Sequence, residues 1–255
     1  MMRLFRPTLL LSFLLSFTLN AAEPSVTDNY AMLKQQFSQW LTNQKIMQLN
    51  YHLNAEITLD DKNELISGAL IRYSMHEKPC IIYAPHRFFD KHTFDIAESL
   101  SAQCQVFIAN TKHRNTLNKQ GQKADLGKSR YSVANAFIEA YANTVPATRI
   151  YQIHGFNAKK RRTKQAQSLD VIISQGARPP STQVKKISHC LINNLKLKSA
   201  IYPLEVSELG GTKNILNSIE LPKNEFFHIE LSYALRKNLI QQPNLMSGFK
   251  KCITL

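Results

Sequence analysis

Short apolar segments alternate with helical segments along most of this chain, and this pattern restricts the possible folds more than any other feature of the sequence. Five segments have the length and apolar character of buried β-strands: 80–84, 105–109, 149–153, 170–174 and 226–231. Three segments between them are predicted to be helices: 93–101, 132–144 and 180–195. Strands that are apolar on both faces need helices on both sides of the sheet. The sequence therefore predicts a three-layer α/β fold with a mixed central sheet flanked by helices.

The remaining segments complete a single domain. Residues 28–49 are predicted to form an N-terminal helix, and 53–73 a β-hairpin whose turn lies at 60–63. An edge strand over 199–202 and a C-terminal helix close the pattern. No internal repeat or linker interrupts residues 23–255, whose length suits one α/β domain better than two small ones.

The N-terminus has the three parts of a secretory signal peptide. Residues 1–6 carry two arginines and no acid, residues 9–19 are almost wholly apolar, and the small residues Ala21 and Ala22 follow. The apolar part is shorter than the roughly 18 residues that span a bilayer, which disfavours an uncleaved membrane anchor. We therefore predict a signal peptide over 1–22, a periplasmic or secreted mature protein, and no transmembrane segment after cleavage.

The chain is basic, with 32 Lys and Arg against 18 Asp and Glu and a net charge of +14. Such an excess attracts anionic partners in general. Part of it is concentrated in Lys159, Lys160, Arg161 and Arg162, although a run of this kind is also typical of a solvated loop. Because an exported protein rarely meets nucleic acid, the charge favours an acidic peptide or cell-wall polymer as partner.

The four cysteines, Cys80, Cys104, Cys190 and Cys252, lack the spacing of a zinc ribbon or zinc finger. In an oxidising compartment an even number of cysteines permits two disulfides. Cys80 and Cys104 each lie at or just before an apolar strand, so they could pair if those strands are neighbours. That pairing would leave Cys190 with Cys252, but three pairings are possible and the sequence does not decide among them.

Chemically useful side chains lie where the predicted strands end. His86 and Asp90 follow the first strand, and His154 follows the third. His228 and Glu230 are two apart on the last strand and so share one face of it. In open α/β sheets, ligands bind at the carboxyl ends of the strands.

A hydrolytic zinc site needs three protein ligands, commonly two His and one carboxylate, and a further carboxylate as general base. His86, Asp90 and His154 fit the ligand set, and Glu230 fits the base. Each of the eight histidines taken alone also fits a structural role. The sequence has no Gly-x-Ser-x-Gly, His-Glu-x-x-His or phosphate-binding glycine motif of other enzyme classes.

The segment after the strand 105–109 offers candidates for substrate binding. Arg114 suits a substrate carboxylate, because its planar guanidinium can make two parallel hydrogen bonds. His113 could orient the substrate, and an ordinary surface loop explains both residues equally well. His228 is either a partner of Glu230 or a wall of the pocket.

Four segments carry a resemblance to a known superfamily: APHRFFDKHT at 84–93, IHGF at 153–156, LGGTKN at 209–214 and FFHIELSYALR at 226–236. Over about residues 79–239 the chain resembles the carboxypeptidase-like zinc hydrolases, near the N-formylglutamate amidohydrolases. The resemblance implies the zinc-carboxypeptidase or phosphorylase-hydrolase type of fold. It also implies zinc bound by His86, Asp90 and His154, with Glu230 as the base.

The chain departs from the superfamily pattern at the acidic ligand. The commoner arrangement has Glu three residues after the first His, where this sequence has Phe89. Asp90 is one methylene shorter and one residue further on, and it is the expected replacement. Asp95 is a weaker alternative, and His92 is a spare imidazole in the same loop.

We therefore predict an exported zinc-dependent amidohydrolase or peptidase. The expected substrate is a peptide or N-acyl amino acid with a free carboxylate, or a cell-wall peptide. Two alternatives remain. One is a degenerate relative that binds an anionic peptide or wall polymer without cleaving it. The other is an envelope protein held to polyanions by the basic residues of 159–164.

Overall fold

The computed structural model describes residues 25–46, 54–59, 65–75, 77–219 and 225–255. The predicted signal peptide and the hairpin turn at 60–63 lie outside the described residues. Within the described ranges, no helix combines the length and the apolar character needed to cross a membrane.

The helices and strands of the described residues follow the alternation predicted from the sequence. In chain order they are α1 (Val26–Ile46), β1 (Asn54–Leu59), β2 (Ala69–Ser74), β3 (Lys78–Ala84), α2 (Thr93–Ser101), β4 (Cys104–Asn110), α3 (Val133–Thr144), β5 (Arg149–Phe156), α4 (Lys164–Ser168), β6 (Val171–Ser174), α5 (Thr182–Leu195), β7 (Ser199–Ile201), β8 (Glu225–Ser232), α6 (Tyr233–Gln241) and α7 (Pro243–Ile253).

The eight strands of the described residues belong to one mixed sheet, in the order β1-β2-β4-β3-β5-β8-β6-β7. The four central strands, β4, β3, β5 and β8, are parallel to their neighbours within that group. The hairpin β1–β2 adds antiparallel strands at one side, and β6 pairs antiparallel with β8 at the other. The predicted edge strand β7 pairs with β6.

Helices cover both faces of the sheet, which confirms the three-layer α/β fold. One apolar core lies between the sheet and α2, α5, α6 and α7. A second core lies between the opposite face and α1 and α3. Strand β3 shows why both layers are needed: Ile82 packs into the first core, while its neighbours Ile81 and Tyr83 pack into the second.

The structure differs from the sequence-based expectation at the end of β5 and in the C-terminal helix. Strand β5 continues through His154 to Phe156, whereas the apolar pattern predicted that it ended at Ile153. Its last residues remain in the sheet because they pair with β8 as far as Ser232. The expected single C-terminal helix is two helices, and Pro243 begins the second, since proline fits the first turn of a helix and not its interior.

Two disulfides link neighbouring elements. Cys80 of β3 pairs with Cys104 of β4, and these strands are neighbours in the sheet. Cys190 of α5 pairs with Cys252 of α7 on one side of the sheet. The structure therefore selects one of the three pairings that the sequence allowed.

Candidate functional site

The candidate site lies at the carboxyl end of the central parallel strands. His86 and Asp90 come from the loop after β3, His154 from β5, and His228 and Glu230 from β8. Strand β5 lies between β3 and β8, so side chains from three adjacent strands meet at one edge of the sheet. They line a cavity of about 500 Å³.

A tight turn after β3 brings His86 and Asp90 together. The backbone N–H groups of Phe89 and Asp90 both donate to the carbonyl oxygen of His86, at 2.9 Å each. In such a helical turn, side chains four residues apart lie on the same side. The turn therefore explains why the acid stands at the fourth position after the histidine. The N–H and hydroxyl of Thr93 then donate to the carbonyl of Asp90, at 3.0 and 2.7 Å, where α2 begins.

Three ligand-type atoms converge in the cavity. Nδ1 of His86 lies 3.3 Å from Oδ2 of Asp90 and 3.0 Å from Nδ1 of His154. Nδ1 of His154 lies 3.5 Å from the same carboxylate oxygen, and all three side chains are buried. Four ligands about 2.1 Å from a tetrahedral zinc ion lie about 3.4 Å apart. The three atoms therefore have the spacing of three corners of a tetrahedral site.

Asp125, which the sequence did not single out, orients His86. Its Oδ1 lies 2.9 Å from Nε2 of His86 and also accepts the N–H of Gly127 at 3.3 Å. When Nε2 of a histidine donates to a carboxylate, Nδ1 is left with its lone pair free to bind a metal ion. Arg114 pairs with the other oxygen of Asp125, and its Nη1 lies 3.2 Å from Nδ1 of His86.

The cluster keeps its carboxylates ionised. Burial opposes the charge on Asp90 and Asp125, but hydrogen bonds to the histidines hold the pKa of both carboxyl groups well below the usual range. Burial likewise opposes the charge on His86, and the hydrogen bonds to Asp125 and Asp90 outweigh it, so the pKa of His86 is raised.

His154 is held neutral near pH 7. Burial and the nearby His228 lower the pKa of His154 to about 4. A neutral imidazole is the form that binds a metal ion. Its Nε2 is buried and finds no hydrogen-bond partner among the described residues. The nitrogen that meets His86 and Asp90 is Nδ1, so the case for a metal ion at His154 rests on that convergence and on the neutral form of the ring.

Glu230 lies beside this cluster without joining it. Its Oε1 is 3.2 Å from Nε2 of His228, and its Oε2 is buried with no hydrogen-bond partner among the described residues. Burial opposes ionisation, but the hydrogen bond from His228 and the nearby His154 lower the pKa of Glu230. The free oxygen belongs to an ionised carboxylate, so Glu230 can accept a proton from a group bound in the cavity.

His228 is fixed from the side away from Glu230. Its Nδ1 lies 3.2 Å from Oε1 of Gln152, an oxygen that also accepts a hydrogen bond from Asn214 at 2.6 Å. Gly211, with φ of 60°, passes so close that an added Cβ would lie 2.7 Å from Cγ of His228. Glycine at this position therefore lets the 209–214 loop close over the ring.

Of the other predicted site residues, the structure places some at the cavity and others away from it. Arg114 lines the cavity, but its charge is already paired with Asp125. His113 does not line the cavity; it accepts the N–H of Asn115 at 3.2 Å and packs on the ring of Phe89. Asp95 is exposed on α2 and lies 3.8 Å from His92, away from the cluster. Asp90 is thus the acid that meets the two histidines.

A buried arginine connects the site to its supporting elements. Arg236 of α6 donates to the backbone carbonyls of Lys91, Leu231 and Phe156, which belong to the His86 loop, β8 and β5. Gly155 leaves room for the guanidinium, because an added Cβ would overlap with Cζ of Arg236. Residues 153–156 of β5 and 234–236 of α6 are therefore joined by packing that the sequence pattern does not show.

The sequence matches no protein-family model, and no curated protein matches it significantly. Solved structures give distant likenesses. The zinc-free form of YndL matches with a TM-score of 0.44 and 12% identity, over 78% of this chain and 87% of that one. An aspartoacylase family protein from Mesorhizobium loti matches with a TM-score of 0.43 and 12% identity, over 81% and 69% of the two chains.

The LapA aminopeptidase of Legionella pneumophila matches with a TM-score of 0.39 and 11% identity, over 89% of this chain and 62% of that one. Likenesses at these scores assign neither a family nor an activity. The relation to N-formylglutamate amidohydrolases therefore stays a prediction, and the chemistry of the site follows from its own residues.

Proposed function

We propose that this protein is an exported zinc-dependent hydrolase that cleaves an amide or peptide bond in a carboxylate-bearing substrate. Peptides, N-acyl amino acids and cell-wall peptides are the substrate classes to examine. One observation carries the proposal. Two imidazole nitrogens and a carboxylate oxygen converge at 3.0 to 3.5 Å, and a second ionised carboxylate lies in the same cavity.

The donor set favours zinc. His86, Asp90 and His154 would hold the ion, and two imidazoles with one carboxylate are a common ligand set of hydrolytic zinc sites. Bound there, zinc lowers the pKa of a water molecule and polarises a carbonyl group. Asp125 would keep Nδ1 of His86 directed at the ion, since carboxylates commonly fix the tautomer of zinc-binding histidines.

Glu230 is the general base of the proposed reaction. Its unpartnered Oε2 takes the proton of the attacking water and then passes it to the leaving amine. His228 holds the other oxygen, so the carboxylate keeps one orientation while the proton moves. Arg114 lies next to His86 while paired with Asp125, so this ion pair places positive charge beside the position where the carbonyl oxygen would develop negative charge.

Export is part of the same proposal. It rests on the signal-peptide pattern of residues 1–22 and is supported by two disulfides, which persist mainly in oxidising compartments. Intact-mass measurement of protein recovered from the envelope or the medium tests it directly. We expect cleavage near Ala22, and a mature species that retains residues 1–19 would contradict this part of the proposal.

Metal analysis of the purified protein tests the site. We expect about one zinc per chain, lost in His86→Ala and in His154→Ala, because two remaining ligands hold zinc poorly. His113→Ala is the matched control, since it removes an imidazole beside the cavity and should keep the metal. Full zinc in both ligand variants would rule out this ligand set. A folded parent protein without zinc would favour the degenerate binding protein instead.

A further inference from the structure

The cavity of the candidate site is the middle part of a longer groove. It shares Phe89, Arg114, Asp125 and Lys128 with a second depression of about 510 Å³. At another edge it shares Lys160, Arg161 and Leu209 with a third depression of about 400 Å³. The second and third depressions have no lining residue in common, so they extend from the central cavity at different edges.

The groove is lined by excess positive charge along its whole length. Eight Lys and Arg residues line the three depressions, against four Asp and Glu residues. The second depression presents Lys123 and Lys128, and the third presents Lys160 and Arg162. Within the described residues, the three lysines have no ion-pair partner.

The acids of the groove are already engaged. Asp90 and Asp125 bond to His86, and Glu230 bonds to His228. The oxygens of Glu208 accept the backbone N–H groups of Arg162 and Thr163 and the hydroxyl of Thr163, at 2.9 to 3.1 Å. Glu208 therefore fixes the loop that carries Lys160, while its charge is largely satisfied by backbone donors.

This arrangement differs from a pocket for one chain end. A pocket that recognises a terminal carboxylate needs an available cation at a closed end, but Arg114 is paired with Asp125, and the groove continues past it to Lys123. Unpaired cations on both sides of the site are instead suited to a ligand with repeated negative charges that passes through.

We propose that the groove binds an extended chain with repeated carboxylates, held on both sides of the His86–His154 cluster. If the proposed function is right, the substrate is an anionic peptide or peptide-containing polymer and the bond cleaved is an internal one. The proposal rests on the proposed function only for the cleavage step. Binding depends on the groove alone.

The test uses the zinc-loaded mature protein and a decamer of glutamate with an N-terminal fluorescein and a C-terminal amide, so that neither end is free. Fluorescence anisotropy measures the dissociation constant, and mass spectrometry of the same mixture identifies products. Lys123→Ala with Lys128→Ala removes charge from one side, and Lys160→Ala with Arg162→Ala from the other. Lys185→Ala with Lys186→Ala removes two exposed charges from α5, outside the groove, as the matched control.

We expect each groove pair to weaken binding on the order of 2- to 30-fold, since an exposed ion pair contributes roughly 0.2–1 kcal/mol. The control pair should change it less, and a glutamine decamer should bind weakly. An equal loss in the control pair would overturn the proposal, and so would a loss on one side only. Tighter binding of an oligothymidylate than of the glutamate decamer would also overturn it, because the occupant would then be a phosphate polymer.

The two proposals fail separately. Two-sided binding without zinc or products would support the groove and reject the hydrolase. Cleavage restricted to peptides with a free end, together with no loss in either groove pair, would support the hydrolase and reject the groove.

Discussion

His154 on β5 and Glu230 on β8 are direct partners in the parallel register of the sheet. Side chains at paired positions of neighbouring strands point to the same face and lie side by side. A candidate metal ligand and a candidate general base are therefore held next to each other by backbone hydrogen bonds of two central strands. Positions on strands are defined more precisely than positions on loops, which suits a site that must transfer a proton.

Glu230→Gln should remove catalysis and keep the metal. The amide retains the shape and hydrogen-bonding reach of the carboxylate but cannot accept the proton, so turnover should fall on the order of 10²- to 10⁴-fold. Hydrolysis of peptides and N-acyl amino acids with a free carboxylate, measured with zinc content, checks this. Glu98→Gln, a half-exposed carboxylate of α2, is the control. Loss of zinc from Glu230→Gln would show that Glu230 is a ligand.

Asp125→Asn should weaken zinc binding with little effect on the fold. The amide is less able to fix the tautomer of His86, and loss of the charge releases Arg114, whose Nη1 is already 3.2 Å from Nδ1 of His86. Loss of such a partner of a metal-binding histidine costs about 10- to 100-fold in metal affinity. Competition with a chelator of known affinity measures the change. Asp95→Asn removes the same charge outside the cluster and should bind zinc like the parent.

The sequence placed His86, Asp90 and His154 because their positions depend on where apolar strands end, and short apolar runs are visible in a single sequence. The three-layer fold could be predicted from the sequence for the same reason. Asp125 could not be found in this way. It lies 39 residues from His86 in a segment without apolar periodicity, and only the path of that loop brings it to Nε2.

The end of β5 shows a second limit of prediction from the sequence. His154 and Gly155 look like the start of a loop, because a polar residue followed by glycine commonly ends a strand. They stay in the sheet because β8 pairs with them and because Arg236, 81 residues after Gly155, packs against the glycine. Contacts between such distant segments leave no periodic signal in the sequence.

Zinc should raise the thermal stability of the protein through His154. A ligand present at 100 times its dissociation constant stabilises the folded state by about 2.7 kcal/mol, which corresponds to roughly 5–10 °C in Tm for a domain of this size. Calorimetry of chelator-treated protein with and without added zinc measures the shift. His154→Ala should show little of it, and an increase as large as that of the parent would place the zinc elsewhere.

Gly155→Ala should destabilise the fold by roughly 1–3 kcal/mol. The new methyl group would displace the guanidinium of Arg236 from the carbonyl oxygens of Phe156 and Leu231, and buried polar groups that lose their partners cost about that much. Urea denaturation measures the change. In an Arg236→Met background the same substitution should cost little, because nothing remains for the methyl group to displace. An equal cost in both backgrounds would show that the effect comes from the strand itself.

Removing the Cys190–Cys252 disulfide should reduce the free energy of unfolding by about 4 kcal/mol. The bridge closes a loop with a sequence separation of 62 residues, and the loss of chain entropy in the unfolded state grows with the length of the closed loop. The Cys80–Cys104 bridge has a separation of 24 residues, and the same relation predicts about 3.5 kcal/mol for it. Urea denaturation of Cys190→Ala with Cys252→Ala, compared with the parent, measures the effect.

The α5–α7 bridge lies within the helical layer on one side of the sheet, away from the cavity. Zinc content should therefore stay unchanged in the double variant. A stable double variant that loses its zinc would show that packing of α7 supports the site. An unchanged free energy of unfolding would show that the bridge does not constrain the unfolded chain as the loop length predicts.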